Sequence, residues 1–124
     1  KLGLYDGTAF HRVVPDFVLQ GGLMDTRKPP VPDKYQPVLK PLKAEFNAHK
    51  HMRGILSMAR SDDPNSGMDS FFIVLDTQPH LDGQYTAFGF VEAGMEVVDA
   101  IVARPASGES PVEPLQLTVE VRER

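Results

Sequence analysis

One stretch constrains this chain more than any other. Residues 10–22 read Phe10-His11-Arg12-Val13-Val14-Pro15-Asp16-Phe17-Val18-Leu19-Gln20-Gly21-Gly22. Two short runs rich in β-branched and aromatic residues flank a Pro-Asp turn signal, and a glycine pair closes the second run. A hairpin with Asp16 at its tip sets Arg12 opposite Gln20 and Val14 opposite Val18. Paired positions share a face, so a cation and an amide stand together beside apolar side chains. Taken alone, the pair also reads as idle polar decoration on an exposed hairpin. The rest of the chain decides between the two.

A chain of 124 residues holds one domain with a sizeable core. The net charge of −4 supplies no field that would recruit nucleic acid or an anionic membrane. The absence of Cys excludes disulfides, a thiolate nucleophile and a Cys-built zinc site, and it fits a reducing compartment. No apolar run approaches the roughly 20 residues of a membrane-spanning helix. The opening Lys1-Leu2-Gly3-Leu4-Tyr5-Asp6-Gly7 carries neither an initiator Met nor a signal-peptide pattern, as expected of a chain that begins inside a longer protein.

Between residues 23 and 44 the composition shifts to Pro and Lys. Pro29, Pro30, Pro32, Pro37 and Pro41 break any helix or central strand, so a long surface excursion is expected there. Gly54-Ile55-Leu56-Ser57-Met58-Ala59 reads as a buried strand, ended by a polar loop over residues 60–69. Ser70-Phe71-Phe72-Ile73-Val74-Leu75 is a second apolar run of strand length, and residues 85–91 form a third after the Asp82-Gly83 turn. One helix follows, with Met95, Val97, Val98, Ile101 and Val102 as its apolar stripe and Glu96, Asp99 and Arg104 pointing away. Near the end, Leu115, Leu117, Val119 and Val121 alternate with Gln116, Thr118, Glu120 and Arg122, the pattern of a half-buried strand. These elements predict a mainly β, antiparallel fold, closed or nearly closed into a barrel.

Most candidate chemistries fail on spacing. His49 and His51, with His11 and His80, have no carboxylate at ligand distance, and surface histidines are the better reading. Ser57 and Ser61 lack a nucleophile elbow. No phosphate loop or dinucleotide fingerprint occurs, and Asp62-Asp63 serve only to solvate a loop. What remains is apolar: Phe17, Val18, Met58, Phe72, Leu81 and Phe88. Such residues are usually core. Yet both faces of the 71–74 run are apolar, so one fills an interior while the other meets a helix, a loop or a ligand.

Four motifs in order resemble the cyclophilin-type peptidyl-prolyl cis-trans isomerases. They are the 10–22 stretch, Gly54-Ile55-Leu56-Ser57-Met58-Ala59, Phe71-Phe72-Ile73, and Leu81-Asp82-Gly83 with Phe88-Gly89. Met58-Ala59-Arg60 and Pro79-His80-Leu81 look like the bacterial branch. The resemblance implies an eight-stranded antiparallel barrel with capping helices and a proline groove on its outer wall, here as one cyclophilin-like domain over residues 1–124. It implies that Arg12 is catalytic, that Gln20 orients it and touches substrate backbone, and that Phe17, Val18, Phe72 and Leu81 form the proline pocket. Val18 replaces a more usual Met. Ala59, Arg60 and Ser61 match the segment that holds the residue before proline, and Tyr85 stands where many eukaryotic members have His.

Three departures accompany the match. Ser70 replaces a usual Gln, which puts one substrate hydrogen bond in doubt. His80 replaces the Trp of cyclosporin-sensitive members, so weak or no cyclosporin binding is expected. The family's opening β-hairpin and first helix are missing before Lys1. The implied activity is rotation of X-Pro bonds in peptides and folding proteins, without metal or cofactor and without nucleic-acid or membrane partners. A non-catalytic proline-peptide binding or chaperone-like module is the alternative. The compartment stays open, with the bacterial cytoplasm slightly ahead of the periplasm.

Overall fold

A computed structural model describes residues 2–123 of the chain. The hairpin forms where its residues require it. Strand β1 (Thr8–Val14) and strand β2 (Val18–Gly21) pair antiparallel with Arg12 opposite Gln20, Val13 opposite Leu19 and Val14 opposite Val18. The amide of Phe17 donates to the carbonyl of Val14 at 3.0 Å, closing a turn with Pro15 second and Asp16 third. Asp16 has φ +63°, the left-handed conformation that this third position demands and that Asp tolerates.

The register slips by one residue between Phe10 and Arg12, so Phe10 faces Gly21. His11 is therefore the extra residue of a bulge. The glycine pair has a steric origin. A Cβ on Gly21 would lie 2.7 Å from the Phe10 ring, and Gly22, at φ +81°, would meet Phe71 and Tyr5.

Strands β3 (Ile55–Met58), β4 (Phe71–Val74) and β5 (Ala87–Phe90) fall within the three runs expected from sequence. With β1 and β2 they build a curled antiparallel sheet in the order β5-β3-β4-β2-β1-β8, where β8 is Gln116–Leu117. Strands β6 (Ala106–Ser107) and β7 (Ser110–Pro111) form a separate two-stranded ribbon. The fold is mainly β and antiparallel, as expected, in the form of a half-barrel with one helix. Among the described residues β5 and β8 are not hydrogen-bonded to each other.

Helix α1 (Met95–Val102) is too short to be stable alone and depends on what it covers. Val98 is buried, and Met95, Ile101 and Val102 pack with it on Val13, Leu19, Ile73 and Leu75 of the sheet. Val97, expected in the apolar stripe, is instead 57% exposed. Only one side of an eight-residue helix meets the sheet, and Val97 falls beyond that side. The opposite sheet face carries a second cluster of Val18, Phe72, Val74 and Leu81, with Val14, Phe17 and Tyr85 against it. The two apolar faces of β4 are thus covered by different things: Ile73 by α1, and Phe72 with Val74 by the cleft side.

One further expectation changes. The alternating C-terminal strand shrinks to Gln116–Leu117, and Val119 and Val121 are exposed. Its partner strand stops at Thr8. Beyond it Asp6 lies in a turn, and the Asp6 carboxylate, not a strand, accepts the Val119 amide at 2.9 Å. Residues 23–44 contain two 3₁₀ turns, Met24–Thr26 and Asp33–Val38, the second with Pro37 inside it. Met24 and Val31 are buried there, and most of the remainder is exposed.

Candidate active site

Sheet register assembles the site. Arg12 faces Gln20, Gln20 faces Phe72, and Phe72 faces Ser57, one row of side chains across β1, β2, β4 and β3. The neighbouring row is Val14, Val18 and Val74. Because alternate residues share a face, a polar pair from one hairpin stands beside the apolar side of the central strand.

The resulting cleft, about 90 Å³, is lined by Arg12, Phe17, Val18, Gln20, Ala59, Arg60, Phe72, Leu81 and Tyr85. Its floor is well packed. The Phe72 ring meets Tyr85 edge-on at 5.8 Å, and the exposed His80 ring stacks on Phe17 at 5.8 Å. Ser61 and Ser70, also named from sequence, sit in an adjoining hollow that shares Gln20, Ala59 and Arg60. The Ser61 backbone N–H is spent on Ser66 Oγ at 2.9 Å.

Polar contacts run in a chain. Ser70 Oγ donates to the Gly21 carbonyl at 3.2 Å and accepts from Gln20 Nε2 at 3.1 Å. That fixes the orientation of the Gln20 amide and turns Oε1 toward Arg12, whose Nη1 donates to it at 3.3 Å. Ser70 is buried and anchors Gln20. On its other edge, Arg12 Nε donates to Glu109 Oε1 at 2.9 Å. Nη2 has no hydrogen-bond partner among the described residues.

Arg60 is a different kind of arginine. Nε and Nη2 both donate to the Gln84 carbonyl, Nη1 donates to the Ser61 and Asp62 carbonyls, and the guanidinium lies 4.3 Å over the Tyr85 ring. It clamps two loops and forms a wall. A larger hollow of about 320 Å³ lies beyond it, bounded by Leu42, Met58, Pro64 and Phe88. Arg60 is the one guanidinium there and is already spent on carbonyls, so chemistry rather than size selects the smaller cleft.

Sequence reasoning placed all four histidines at the surface, and His51 corrects it. The His51 ring is 1% exposed, with Nε2 at 2.9 Å from Ser57 Oγ and Nδ1 at 3.2 Å from Asp82 Oδ1. The His51 backbone N–H also donates to Asp82, and this bond, followed by the ring contact, holds the Asp82 carboxyl below its ordinary value. An ionised Asp82 only accepts, so Nδ1–H donates to it, and Ser57 Oγ bonds Nε2 on the other side of the ring. These are the contacts of a hydrolytic triad, but Ser57 has no exposed surface and no acyl group can reach it. The set is structural. It ties β3 to the turn that carries Leu81, and the His51 ring lies against Phe72.

His49 and His80 are exposed, as expected, while His11 is half-buried. Phe88, grouped with the apolar candidates, is 54% exposed and outside the cleft. The polar partners that sequence missed are Glu109, His51 and Asp82. Glu109 lies 97 positions from Arg12 and only its Gly108-Glu109 turn is legible locally, whereas the Leu81-Asp82-Gly83 turn at least marked the neighbourhood of Asp82.

Known proteins resemble this chain along most of its length. The family model described as cyclophilin type peptidyl-prolyl cis-trans isomerase/CLD matches residues 1–121. A Brucella abortus protein named "Probable peptidyl-prolyl cis-trans isomerase" is 41% identical over 108 residues, covering 80% of this chain and 54% of the relative. A peptidyl-prolyl cis-trans isomerase of Schizosaccharomyces pombe is 38% identical over 122 residues, covering 94% and 75%. The chain thus spans about half the length of the Brucella relative and three quarters of the yeast one. Among solved structures, a Cryptosporidium parvum cyclophilin type isomerase, crystallised in the presence of the dipeptide Ala-Pro, superposes with a TM-score of 0.78 at 27% identity, covering 97% of this chain and 78% of that one. On this match along nearly its whole length, the chain belongs to the cyclophilin-type peptidyl-prolyl cis-trans isomerase family.

Proposed function

We propose that this chain catalyses cis-trans rotation of X-Pro bonds in peptides and folding proteins, with Arg12 as its electrostatic catalyst. The observation that carries the reading is the juxtaposition of an uncommitted guanidinium edge with an apolar wall of Phe17, Val18, Phe72 and Leu81. The reaction breaks no covalent bond. Partial double-bond character in the amide C–N gives a barrier of ~18–20 kcal/mol, and uncatalysed exchange takes on the order of tens to hundreds of seconds.

At the top of that barrier the amide is twisted, conjugation is lost, and the proline nitrogen holds a free lone pair. A free N–H of the Arg12 guanidinium donates to that nitrogen when it is twisted and has nothing to bind when it is planar. Such differential binding is what accelerates a step. The pyrrolidine ring is held against Phe72 and Leu81, and the residue before proline lies along Ala59 and Arg60. Gln20 keeps the guanidinium in plane and is itself held by Ser70.

A preorganised donor of this kind is worth roughly 3–4 kcal/mol, so Arg12→Ala is expected to lower kcat about 10²–10³-fold while proline-peptide affinity stays within about threefold. Arg12→Lys is expected to be nearly as poor, because a point charge lacks the planar fork. A proline-limited refolding assay beside a peptide-binding titration measures both. Parent-level acceleration by Arg12→Ala refutes the assignment, and binding by the parent protein without any acceleration supports the non-catalytic module instead.

A further inference from the structure

We propose that Glu109 is a positioning residue for Arg12, gripping Nε while Gln20 holds Nη1, so that the guanidinium stays fixed beside the apolar wall of the cleft. The inference rests on the reading of Arg12 as the catalyst. An arginine side chain is long and free to rotate, and one contact does not fix the plane of its head. Gln20 holds only Nη1, at 3.3 Å, the long end of the range for such bonds. The Glu109 bond to Nε is 2.9 Å and charge-assisted. Two contacts on different nitrogens of a rigid planar group define its plane and its rotation within that plane, which one contact cannot do.

The location of Glu109 does not depend on a loose loop. It sits at the tip of the β6–β7 ribbon, where Gly108 takes φ +62° to make the turn. The Val13 backbone N–H donates to the Glu109 carbonyl at 2.7 Å, and Val112 N–H donates to the Pro105 carbonyl at 3.0 Å at the base of the ribbon. Glu109 is therefore pinned to the residue next to Arg12 on the same strand. Its side chain is 57% exposed, so water screens its charge and the pair adds little to folding. What it supplies is direction. A ribbon far away in sequence thereby acts on the cleft without lining it.

The test is to measure exchange NMR rates at saturating Ala-Pro-containing tetrapeptide, and its dissociation constant, for the parent, Glu109→Ala, Glu109→Gln and Arg12→Ala. Glu109→Ala is expected to lower kcat about tenfold with affinity within about twofold of the parent. Glu109→Gln keeps an oxygen acceptor for Nε–H and is expected to recover activity to within about threefold of the parent. Parent-level or higher kcat in Glu109→Ala overturns the proposal, as does a loss expressed mainly in affinity or one that Glu109→Gln does not reduce. Full activity in Arg12→Ala instead overturns the reading of Arg12 itself, so the two failures are distinguishable.

Discussion

At the scale of single residues, burial separates polar groups that look alike in sequence. Ser57 and Ser61 are both serines in or near the same strand, yet Ser57 is sealed with His51 and Asp82 while Ser61 lies exposed in a turn with Ser66. Ser57→Ala strands a buried ring nitrogen, so it is expected to cost about 1–3 kcal/mol in urea unfolding. A change below about 0.5 kcal/mol would show that the triad contributes nothing to stability. His11 offers a second test. Burial, and then the nearby Arg12 charge, hold its imidazole below the ordinary value, so the native state binds fewer protons than the unfolded chain. The associated stability is complete above the unfolded value of about 6.5 and is lost as pH falls through and below it. The urea midpoint of the parent is therefore expected to decline between about pH 7 and 5, and His11→Gln to flatten that decline. An identical slope in both proteins would rule out His11 as its source.

Among elements, the hairpin was legible and the helix only partly so. Pro15-Asp16 and the alternation around it set the register of Arg12 against Gln20, because a two-residue period leaves one choice of face. The slip at His11 was not legible, since a bulge costs one residue and leaves no composition signature. Helix α1 shows the limit of periodicity. Val97 and Val98 both fit an apolar stripe, and only the sheet beneath decides which is buried. Val98→Ala is expected to destabilise by about 1–2 kcal/mol and Val97→Lys by less than about 0.5 kcal/mol, both read from urea midpoints. The reverse order would place α1 on its other face. Partners far apart in sequence, such as His51 with Asp82 or Glu109 with Arg12, were not legible, because no local period records a contact made through the folded sheet.

For the whole molecule, one sheet with two differently covered faces explains both stability and site. Its α1 side packs Leu19 and Ile73 into a core that water does not reach, and its other side leaves Phe72 and Leu81 beside a cleft. Rigid strands rather than loops hold Arg12, Gln20 and Phe72 in register, and the β6–β7 ribbon and the Ser70 hydroxyl brace them from two sides. Catalysis by electrostatic preorganisation needs such bracing, since a donor that must first reorganise loses its advantage over water. The central claim is that Arg12, so held, lowers the barrier to X-Pro rotation without being needed for binding. The most direct measurement is two-dimensional exchange NMR on an Ala-Pro peptide with equal concentrations of the parent and Arg12→Ala. The account predicts strong cis-trans exchange peaks with the parent and peaks reduced about 10²–10³-fold in rate with the variant, at peptide affinity within about threefold. Equal exchange rates in the two proteins would contradict it.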